Sequence, residues 1–186
     1  QPRSRGLGDV YKRQTDVIGW VLEEATGKPL AELISEYIWK PMGAEYDAYI
    51  TVDKTGFVLA DHGMNATLRD LGRLGLLVMN EGVANNKQVI PKDFIHDLHE
   101  QNGDPYWPYE VSADEHPYYR SFWWGKGNNE KDLNGVGIHG QFLRVAKEAR
   151  IVIVIYSTWP RADGVGNDQF WGKSEDLLDA IVAKFR

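Results

Sequence analysis

The sequence predicts an α+β fold, in which helices pack on an antiparallel sheet. Segments with an apolar residue every three or four positions fill most of the chain before residue 100. Short aromatic and Val/Ile-rich segments follow at close spacing up to residue 157. Strands joined by such short connections pair antiparallel, and one more helical segment closes the chain. The 186 residues suffice for one domain with a hydrophobic core.

The first two predicted helices lie between Thr15 and Pro41. Thr15 or Asp16 is a suitable N-cap, and Gly27 a suitable glycine just after the helix end. The second helix begins at Pro29 and ends before Pro41, because proline suits a first helical turn and cannot continue a helix. The apolar residues expected to face the core are Val17, Ile18, Val21, Leu22, Ala25, Leu30, Leu33, Ile34, Tyr37 and Ile38.

A third helix is predicted after an irregular stretch over residues 42–66. Thr67 and Asp70 have the spacing of a capping box, with Asp in place of the usual Glu. The helix ends at Gly82, and a short helix follows from Pro91.

Three strands are predicted in the last third of the chain. They are an aromatic strand from Tyr118 to Gly125 and strands over about 135–145 and 150–157. A loop over residues 101–117 precedes them, and loops of this length are often functional. A final helix runs from Asp168 to the chain end, and its inward-facing residues are expected to be Phe170, Trp171, Leu177, Leu178, Ile181, Val182 and Phe185.

Composition limits the classes of partner. The chain has 21 Lys and Arg, 27 Asp and Glu and no basic cluster, which argues against a nucleic-acid partner. No apolar run approaches the roughly 18 residues of a membrane span, so no membrane partner is predicted. The absence of cysteine excludes disulfides and thiolate zinc sites, and it fits a reducing, cytoplasmic compartment without requiring one. No cofactor is predicted either.

Residues 1–14 differ from the rest of the chain. They lack apolar periodicity and resemble the adapter sequence that sometimes ends metagenomic reading frames. We therefore expect a non-native arm over 1–14, with the domain over 15–186. A genuine polar arm is the alternative. Because residue 1 is Gln, the chain is expected to be the C-terminal part of a longer protein.

Glycine is concentrated in the segment Gly135–Gln141, which reads Gly-Val-Gly-Ile-His-Gly-Gln. Glycine weakens a strand, so it usually marks a close approach of another backbone or of a ligand. A backbone N–H that faces a cleft can stabilise a developing oxyanion. The segment is therefore the predicted functional site. The alternative is that its glycines allow packing against a neighbouring helix.

Four segments carry a family resemblance: Gly137–Gln141, Glu24–Leu30, Ile38–Ala44 and Asn65–Arg73. Their order and spacing, between Thr15 and Arg186, resemble the β-lactamase-related serine hydrolases, and within them most closely the 6-aminohexanoate-dimer (nylon-oligomer) hydrolases. The resemblance implies an incomplete β-lactamase/transpeptidase-like fold. It also implies hydrolysis of a small-molecule amide or ester through an acyl-serine intermediate.

The resemblance implies roles for individual residues. Gly137 matches the glycine of the third conserved box of the family, and the Ile138 N–H matches the oxyanion donor. Gly135 stands where β-lactamases carry lysine, which disfavours a β-lactam carboxylate and favours amides or esters. His139 is expected to point away from Ile138 by strand alternation, and to line the cleft or make a polar contact beneath it. Gln141 is expected to brace the strand through its amide.

Two further substrate-binding candidates lie outside this segment. Adjacent residues of a strand face opposite sides, so Trp123 and Trp124 cannot both face one cleft. Trp124 is taken as the apolar wall. Asp47 lies where relatives carry a substrate-recognition segment, as the resemblance implies.

The nucleophile motif of the family, Ser-x-x-Lys, does not occur in this sequence, because no serine has a lysine three residues later. A Gly-x-Ser-x-Gly elbow is absent as well. Tyr11 lies one place from the position of the family tyrosine and lacks its neighbouring pattern. We therefore expect this chain alone to be inactive. The alternative is a non-catalytic binding or interaction domain on the same scaffold.

A metal enzyme is a third alternative. His96 and His99 lie three apart on a predicted helix with Glu100 beside them, and such a pair can share a metal ion. The same spacing occurs on solvated helix faces, and no third ligand is evident. No metal site is therefore predicted.

Overall fold

The structure, a computed structural model, describes residues 7–100, 118–126, 131–162 and 168–186. The chain divides into two compact units, Gln1–Thr67 and Leu68–Arg186. Within the described ranges, no helix combines the length and the hydropathy that crossing a membrane requires.

The first unit is mainly helical. Its elements are α1 (Leu7–Thr26), α2 (Leu30–Ile34), a π-helical turn (Ser35–Trp39), and the antiparallel pair β1 (Tyr49–Ile50) and β2 (Met64–Asn65). The predicted end of the first helix is confirmed, since Gly27 has a φ of 66° and its N–H donates to the Glu23 carbonyl at 2.8 Å. Leu30, Leu33 and Val58 form a small buried cluster.

The predicted start of the first helix is wrong. The helix begins at Leu7, so it extends into the segment taken as an arm, whose adapter-like origin stays a prediction. Asp16 does not cap the helix. Its carboxylate instead accepts hydrogen bonds from the N–H groups of Ala60 (2.8 Å) and Asp61 (3.2 Å), which ties the loop before β2 to α1.

The predicted apolar face of α1 is also wrong within this unit. The residues Val17, Ile18, Val21 and Leu22 are all exposed. The helix meets its neighbours through Gly19 instead, where an added Cβ would lie 3.1 Å from the Ala60 side chain and 3.3 Å from Leu30. Because α1 approaches Ala60 and Leu30 closely at Gly19, its larger apolar residues lie on other sides of the helix.

The second unit contains the main sheet. Its elements are α3 (Leu68–Met79), β3 (Val83–Ala84), β4 (Lys87–Gln88), α4 (Lys92–Asp97), β5 (Tyr118–Arg120), β6 (Trp123–Gly125), β7 (Leu133–Gly137), β8 (Gln141–Ala146), β9 (Ile151–Ile155) and α5 (Asp168–Ala183). Strands β5 to β9 pair in sequence order, and each pair is antiparallel. The predicted α+β class and antiparallel pairing are confirmed.

The sheet has five strands where the sequence analysis expected three. Two of the expected strands are hairpins, one turning at Ser121–Phe122 and the other at residues 138–140. Ser121 and Phe122 have φ values of 48° and 69°, the left-handed conformation that two-residue hairpin turns require. Neither turn contains the Asn-Gly or Asp-Gly pair by which such turns are usually recognised, so the aromatic pattern reads as one continuous strand.

Helices cover the two faces of the sheet. On one face, α3, α4 and the sheet bury a core of Val78, Ile95, Leu98, Tyr118, Leu133, Leu143 and Val145. On the other face, Val182 of α5 packs against Ala146 and Ala149. The strand alternation of β8 explains this arrangement, because Val145 faces α3 and Arg144 faces α5.

The inward face of α5 is narrower than predicted. Leu178 and Val182 are buried, whereas Leu177 and Phe185 are 52% and 62% exposed, so the prediction for these two is wrong. Leu178 and Val182 lie four residues apart and share one helical face. Leu177 is one residue away from that face and therefore points about 100° around the helix.

Arg144 is the central polar residue of the second unit. Its side chain is fully buried, and it donates to Asn134 Oδ1 at 2.7 Å, to Glu175 Oε2 at 2.6 Å and to Asp179 Oδ1. Lys126 also contacts Asp179, at 2.6 Å. The guanidinium thus joins β7, β8 and α5 through charge-assisted hydrogen bonds.

We expect Arg144→Met to lower the free energy of unfolding by about 2–4 kcal/mol, because the buried Asn134 oxygen and the Glu175 carboxylate lose their cationic partner, while Asp179 retains Lys126. Lys126→Met is the matched control. It removes a half-buried cation from the same Asp179, and a loss below about 1 kcal/mol is expected. Chemical denaturation of both variants measures the two losses, and equal losses would contradict the central role of Arg144.

Two glycines of α3 provide a second test. A Cβ at Gly75 would lie 2.5 Å from Val152 Cγ1 and 2.9 Å from Leu143 Cδ1, so Gly75→Ala is expected to cost about 1–3 kcal/mol. At Gly72 the nearest atom, in Val154, is 3.9 Å away. Gly72→Ala is therefore expected to stabilise the helix by up to about 1 kcal/mol. Urea midpoints that shift in the same direction for both variants would contradict the packing of α3 on the sheet.

Candidate functional site

The candidate site is the turn Ile138–Gly140, which joins β7 to β8. Gly137 pairs with Gln141, so Ile138 lies outside the strand ladder, and its side chain is 59% exposed. His139 and Gly140 have φ values of 58° and 81°. Strand alternation, on which the expected direction of the His139 side chain was based, does not apply, because neither His139 nor Ile138 belongs to a strand.

Two glycines of the segment are needed for packing. A Cβ at Gly137 would lie 3.0 Å from the Gln141 Cβ, and one at Gly140 would overlap the indole ring of Trp159. At Gly135 the nearest atom, the Leu143 Cβ, is 3.6 Å away, which leaves room for an ordinary side chain. The glycines therefore allow close approach of β8 and of Trp159, not of a helix as the alternative interpretation expected.

His139 is bound to the segment that follows β9. Its N–H donates to the Ala162 carbonyl at 3.2 Å, and its carbonyl accepts from the Trp159 N–H at 3.1 Å. The ring Nδ1 lies 2.7 Å from the Trp159 carbonyl oxygen. A carbonyl oxygen only accepts, so Nδ1 carries the proton and, in the neutral ring, Nε2 holds the lone pair.

Gln141 braces the same segment from the start of β8. Its Nε2 donates to the carbonyls of Ser157 at 2.7 Å and His139 at 3.3 Å, and its Oε1 accepts from the Ser157 N–H at 3.3 Å. The amide hydrogen bonds expected of Gln141 are present. They run to the protein backbone, and a contact with substrate stays a prediction.

Trp159 contributes an aromatic cluster beside the turn. Its ring lies 5.7 Å from Phe142 of β8, and 6.1 Å and 6.2 Å from Phe170 and Trp171 of α5. The sequence analysis missed this residue. The sequence carries one signal for it: a tryptophan stands before Pro160, shortly after a Val/Ile-rich strand. A loop that packs against nothing needs no large aromatic residue, so a tryptophan at this position indicates packing.

Ile138 offers a backbone donor at this turn. Within the described residues, no hydrogen bond engages its N–H. A donor of this kind, fixed by its neighbours and outside the ladder, has the chemistry to bind a carbonyl oxygen that gains negative charge.

The predicted site residues are not all brought together. Five of them lie at or next to the turn, namely Gly135, Gly137, Ile138, His139 and Gln141. Trp124 lies in β6 opposite Asn134, so its side chain is on the face of Arg144 and not on the face of Gly135 and Gly137. It packs against Tyr119, with ring centroids 4.6 Å apart. Asp47 belongs to the first unit, where it is exposed ahead of β1.

The histidine pair of α4 makes other contacts. His96 Nε2 lies 2.6 Å from Glu81 Oε2, and Lys147 contacts the other oxygen of Glu81. The hydrogen bond from Lys147, with a smaller one from His96, lowers the pKa of Glu81. Across the described parts of the chain, no group of three or more His, Asp or Glu side chains is arranged to hold a metal ion.

His99 is largely buried, and its Nδ1 has no partner among the described residues. Burial lowers the pKa of His99 from 6.5 to about 4, and the positive charge of Lys147 acts in the same direction. His99 is therefore neutral in the folded protein at pH 7.

Comparisons with known proteins agree with one another. The sequence model of the family described as Beta-lactamase matches residues 11–173. The 6-aminohexanoate-dimer hydrolase of Paenarthrobacter ureafaciens is 36% identical over 151 residues, which cover 80% of this chain. A solved structure from Bacillus anthracis, named as a candidate 6-aminohexanoate-dimer hydrolase, superposes with a TM-score of 0.71 at 28% identity and covers 89% of this chain.

The chain is shorter than these proteins. It spans 38% of the length of the Paenarthrobacter ureafaciens enzyme and 42% of the Bacillus anthracis structure. The similarity therefore concerns one part of each.

A pH dependence of stability follows from His99. The unfolded chain binds a proton at this residue near pH 6.5 and the folded chain only near pH 4. The contribution of His99 is therefore fully present above pH 6.5 and is lost as the pH falls through this window. We expect His99→Gln to reduce the difference in melting temperature between pH 7 and pH 5, with the exposed His96→Gln as control. An unchanged difference in His99→Gln would contradict the burial of His99.

Proposed function

The chain belongs to the β-lactamase family, and from this premise we propose that it supplies the oxyanion-binding part of a serine hydrolase. The whole protein would hydrolyse amide or ester bonds of small molecules through an acyl-serine intermediate. One observation carries the proposal: the Ile138 N–H lies outside the strand ladder, in a turn that its neighbours hold fixed.

The chemistry assigns one step to this turn. A serine Oγ attacks the substrate carbonyl, the C–O π electrons move to the carbonyl oxygen, and that oxygen becomes negatively charged. The Ile138 N–H then donates a hydrogen bond that is stronger in the transition state than in the ground state. The acyl-enzyme forms when the amine or alcohol leaves with a proton, and water hydrolyses it. In this proposal the serine and its base come from a part of the whole protein outside this sequence, since Ser-x-x-Lys does not occur in it.

The absence of charged side chains along the strand and turn supports amides or esters as the substrate class. Between Leu133 and Gln141 the chain carries no Lys, Arg, Asp or Glu, and Gly135 stands at the position that the resemblance assigns to a lysine. A carboxylate close to the scissile bond, of the kind that a β-lactam carries, therefore finds no Lys or Arg on this strand. The matched relative is named for a dimer of 6-aminohexanoate, whose linkage is an amide, and an amide of this kind is the substrate that we propose.

A non-catalytic binding domain is the second candidate. A domain that only binds a carbonyl ligand would use the same Ile138 N–H and needs no serine. The two candidates differ in what happens to a carbonyl substrate: the enzyme releases two products, whereas the binding domain releases the ligand unchanged.

An activity measurement in two arms tests the proposal. The purified chain alone is expected to give no sustained hydrolysis of a p-nitrophenyl ester. A chimera joins the part of the Paenarthrobacter ureafaciens enzyme that precedes the matched segment to this chain from Thr15 onward, and it is expected to hydrolyse 6-aminohexanoate dimer. In the chimera, Ile138→Pro removes the N–H and is expected to lower kcat by about 100- to 1,000-fold.

Ile138→Leu is the matched control, because it changes the side chain and keeps the N–H. A folded chimera that binds the dimer without cleaving it would support the binding domain. Equal rates for the Pro and Leu variants would refute the oxyanion role of Ile138.

A further inference from the structure

We propose that Trp159 and Gln141 are positioning residues, which hold the turn Ile138–Gly140 in the conformation that leaves the Ile138 N–H free for an acyl oxygen. The inference rests on the proposed oxyanion role of Ile138. It adds the residues that fix the donor, neither of which belongs to the turn that carries it.

The backbone of the turn requires such support. His139 has a φ of 58°, a left-handed conformation that is unfavourable for a residue with a Cβ, and Gly140 follows with a φ of 81°. A non-glycine residue keeps this conformation only where its surroundings hold it. Without that support the turn would relax, and the N–H of Ile138, which precedes His139, would move.

The hydrogen bonds supply part of the support. The N–H, the carbonyl and the ring Nδ1 of His139 are all bound to residues 159–162. Gln141 uses both hydrogens of its amide and its oxygen to tie His139 and Ser157 to the start of β8. These bonds fix the peptide groups on either side of His139, and they leave the Ile138 N–H uncommitted.

The ring of Trp159 supplies the rest. It lies directly over Gly140, so closely that a methyl group there would overlap it. The ring is itself held between Phe142 of β8 and the pair Phe170 and Trp171 of α5. The position of the turn is therefore set by the aromatic cluster, which rests on the rigid strand and helix behind it.

Hydrogen exchange of the 186-residue chain tests the inference without any catalytic readout. Trp159→Ala is expected to raise exchange of the His139 amide, which is hydrogen-bonded to the Ala162 carbonyl, by roughly tenfold or more. Trp159→Phe, which keeps a flat ring over Gly140, is expected to restore most of that protection. Trp171→Ala is the matched control, because Trp171 belongs to the same cluster but is not the ring over Gly140. It is expected to lower the melting temperature and to raise exchange of the His139 amide much less than Trp159→Ala does, because Phe142 and Phe170 still contact the Trp159 ring.

Gln141→Leu provides an independent second variant if Trp159→Ala unfolds the chain. Its control is Gln88→Leu, since Gln88 braces the β3–β4 hairpin through bonds to the Glu81 and Ile90 carbonyls. Gln141→Leu is expected to raise exchange of the His139 amide, and Gln88→Leu to raise exchange only near residues 81–90. The nitrogen NMR shifts of His139 are expected to show the Nδ1-protonated ring in the parent and in Trp171→Ala, and a mixture of tautomers in Trp159→Ala and Gln141→Leu.

The inference fails if Trp171→Ala loosens the turn as much as Trp159→Ala, or if Gln141→Leu leaves exchange at the turn unchanged. These results are separable from the proposed function. A turn protected from exchange in an inactive chimera would refute the hydrolase function and support the positioning role. An active chimera whose turn is not protected would support the hydrolase function and refute the positioning role.

Discussion

The burial of one guanidinium is the constraint on which the second unit depends. A buried cation is unfavourable unless its hydrogen bonds are satisfied, and Arg144 satisfies them with Asn134 of β7 and with Glu175 and Asp179 of α5. Apolar packing alone leaves α5 free to slide along the sheet, because hydrophobic contact has little directionality. The fork of Arg144 fixes both the rotation and the height of α5, and so the place of its N-terminal aromatic residues.

The candidate site inherits its geometry from that helix. Phe170 and Trp171 lie in the first turn of α5, one to two turns before Glu175, and they hold the ring of Trp159. Trp159 in turn covers Gly140. A continuous series of contacts therefore leads from the buried ion cluster to a backbone donor in a loop. Enzymes commonly place reactive groups on loops held by a rigid scaffold, since a donor that is already aligned needs no reorganisation during the reaction.

The sequence predicted the fold class and the helix ends at Gly27 and Gly82, because these depend on local signals. It failed at the two hairpins, since Ser121–Phe122 and His139–Gly140 adopt left-handed conformations without an Asn-Gly or Asp-Gly pair. Their conformation is imposed by partners distant in sequence, such as Trp159 for Gly140. The predicted burial of the apolar residues of α1 failed for a similar reason. Periodicity shows which residues form an apolar stripe, but not which neighbouring element covers it.

The position of the candidate site along the chain bears on which parts of the family fold would supply the oxyanion donor and the nucleophile. The proposed donor and its supports lie between Gly135 and Trp171, all within the second unit. Their alignment requires neither a serine nor a substrate, because hydrogen bonds and aromatic packing already fix the turn. In the proposed function, one continuous stretch of the family fold supplies the oxyanion donor and another part supplies the nucleophile. This separation makes the chimera informative, since it joins a nucleophile from a relative to a donor that this sequence arranges by itself.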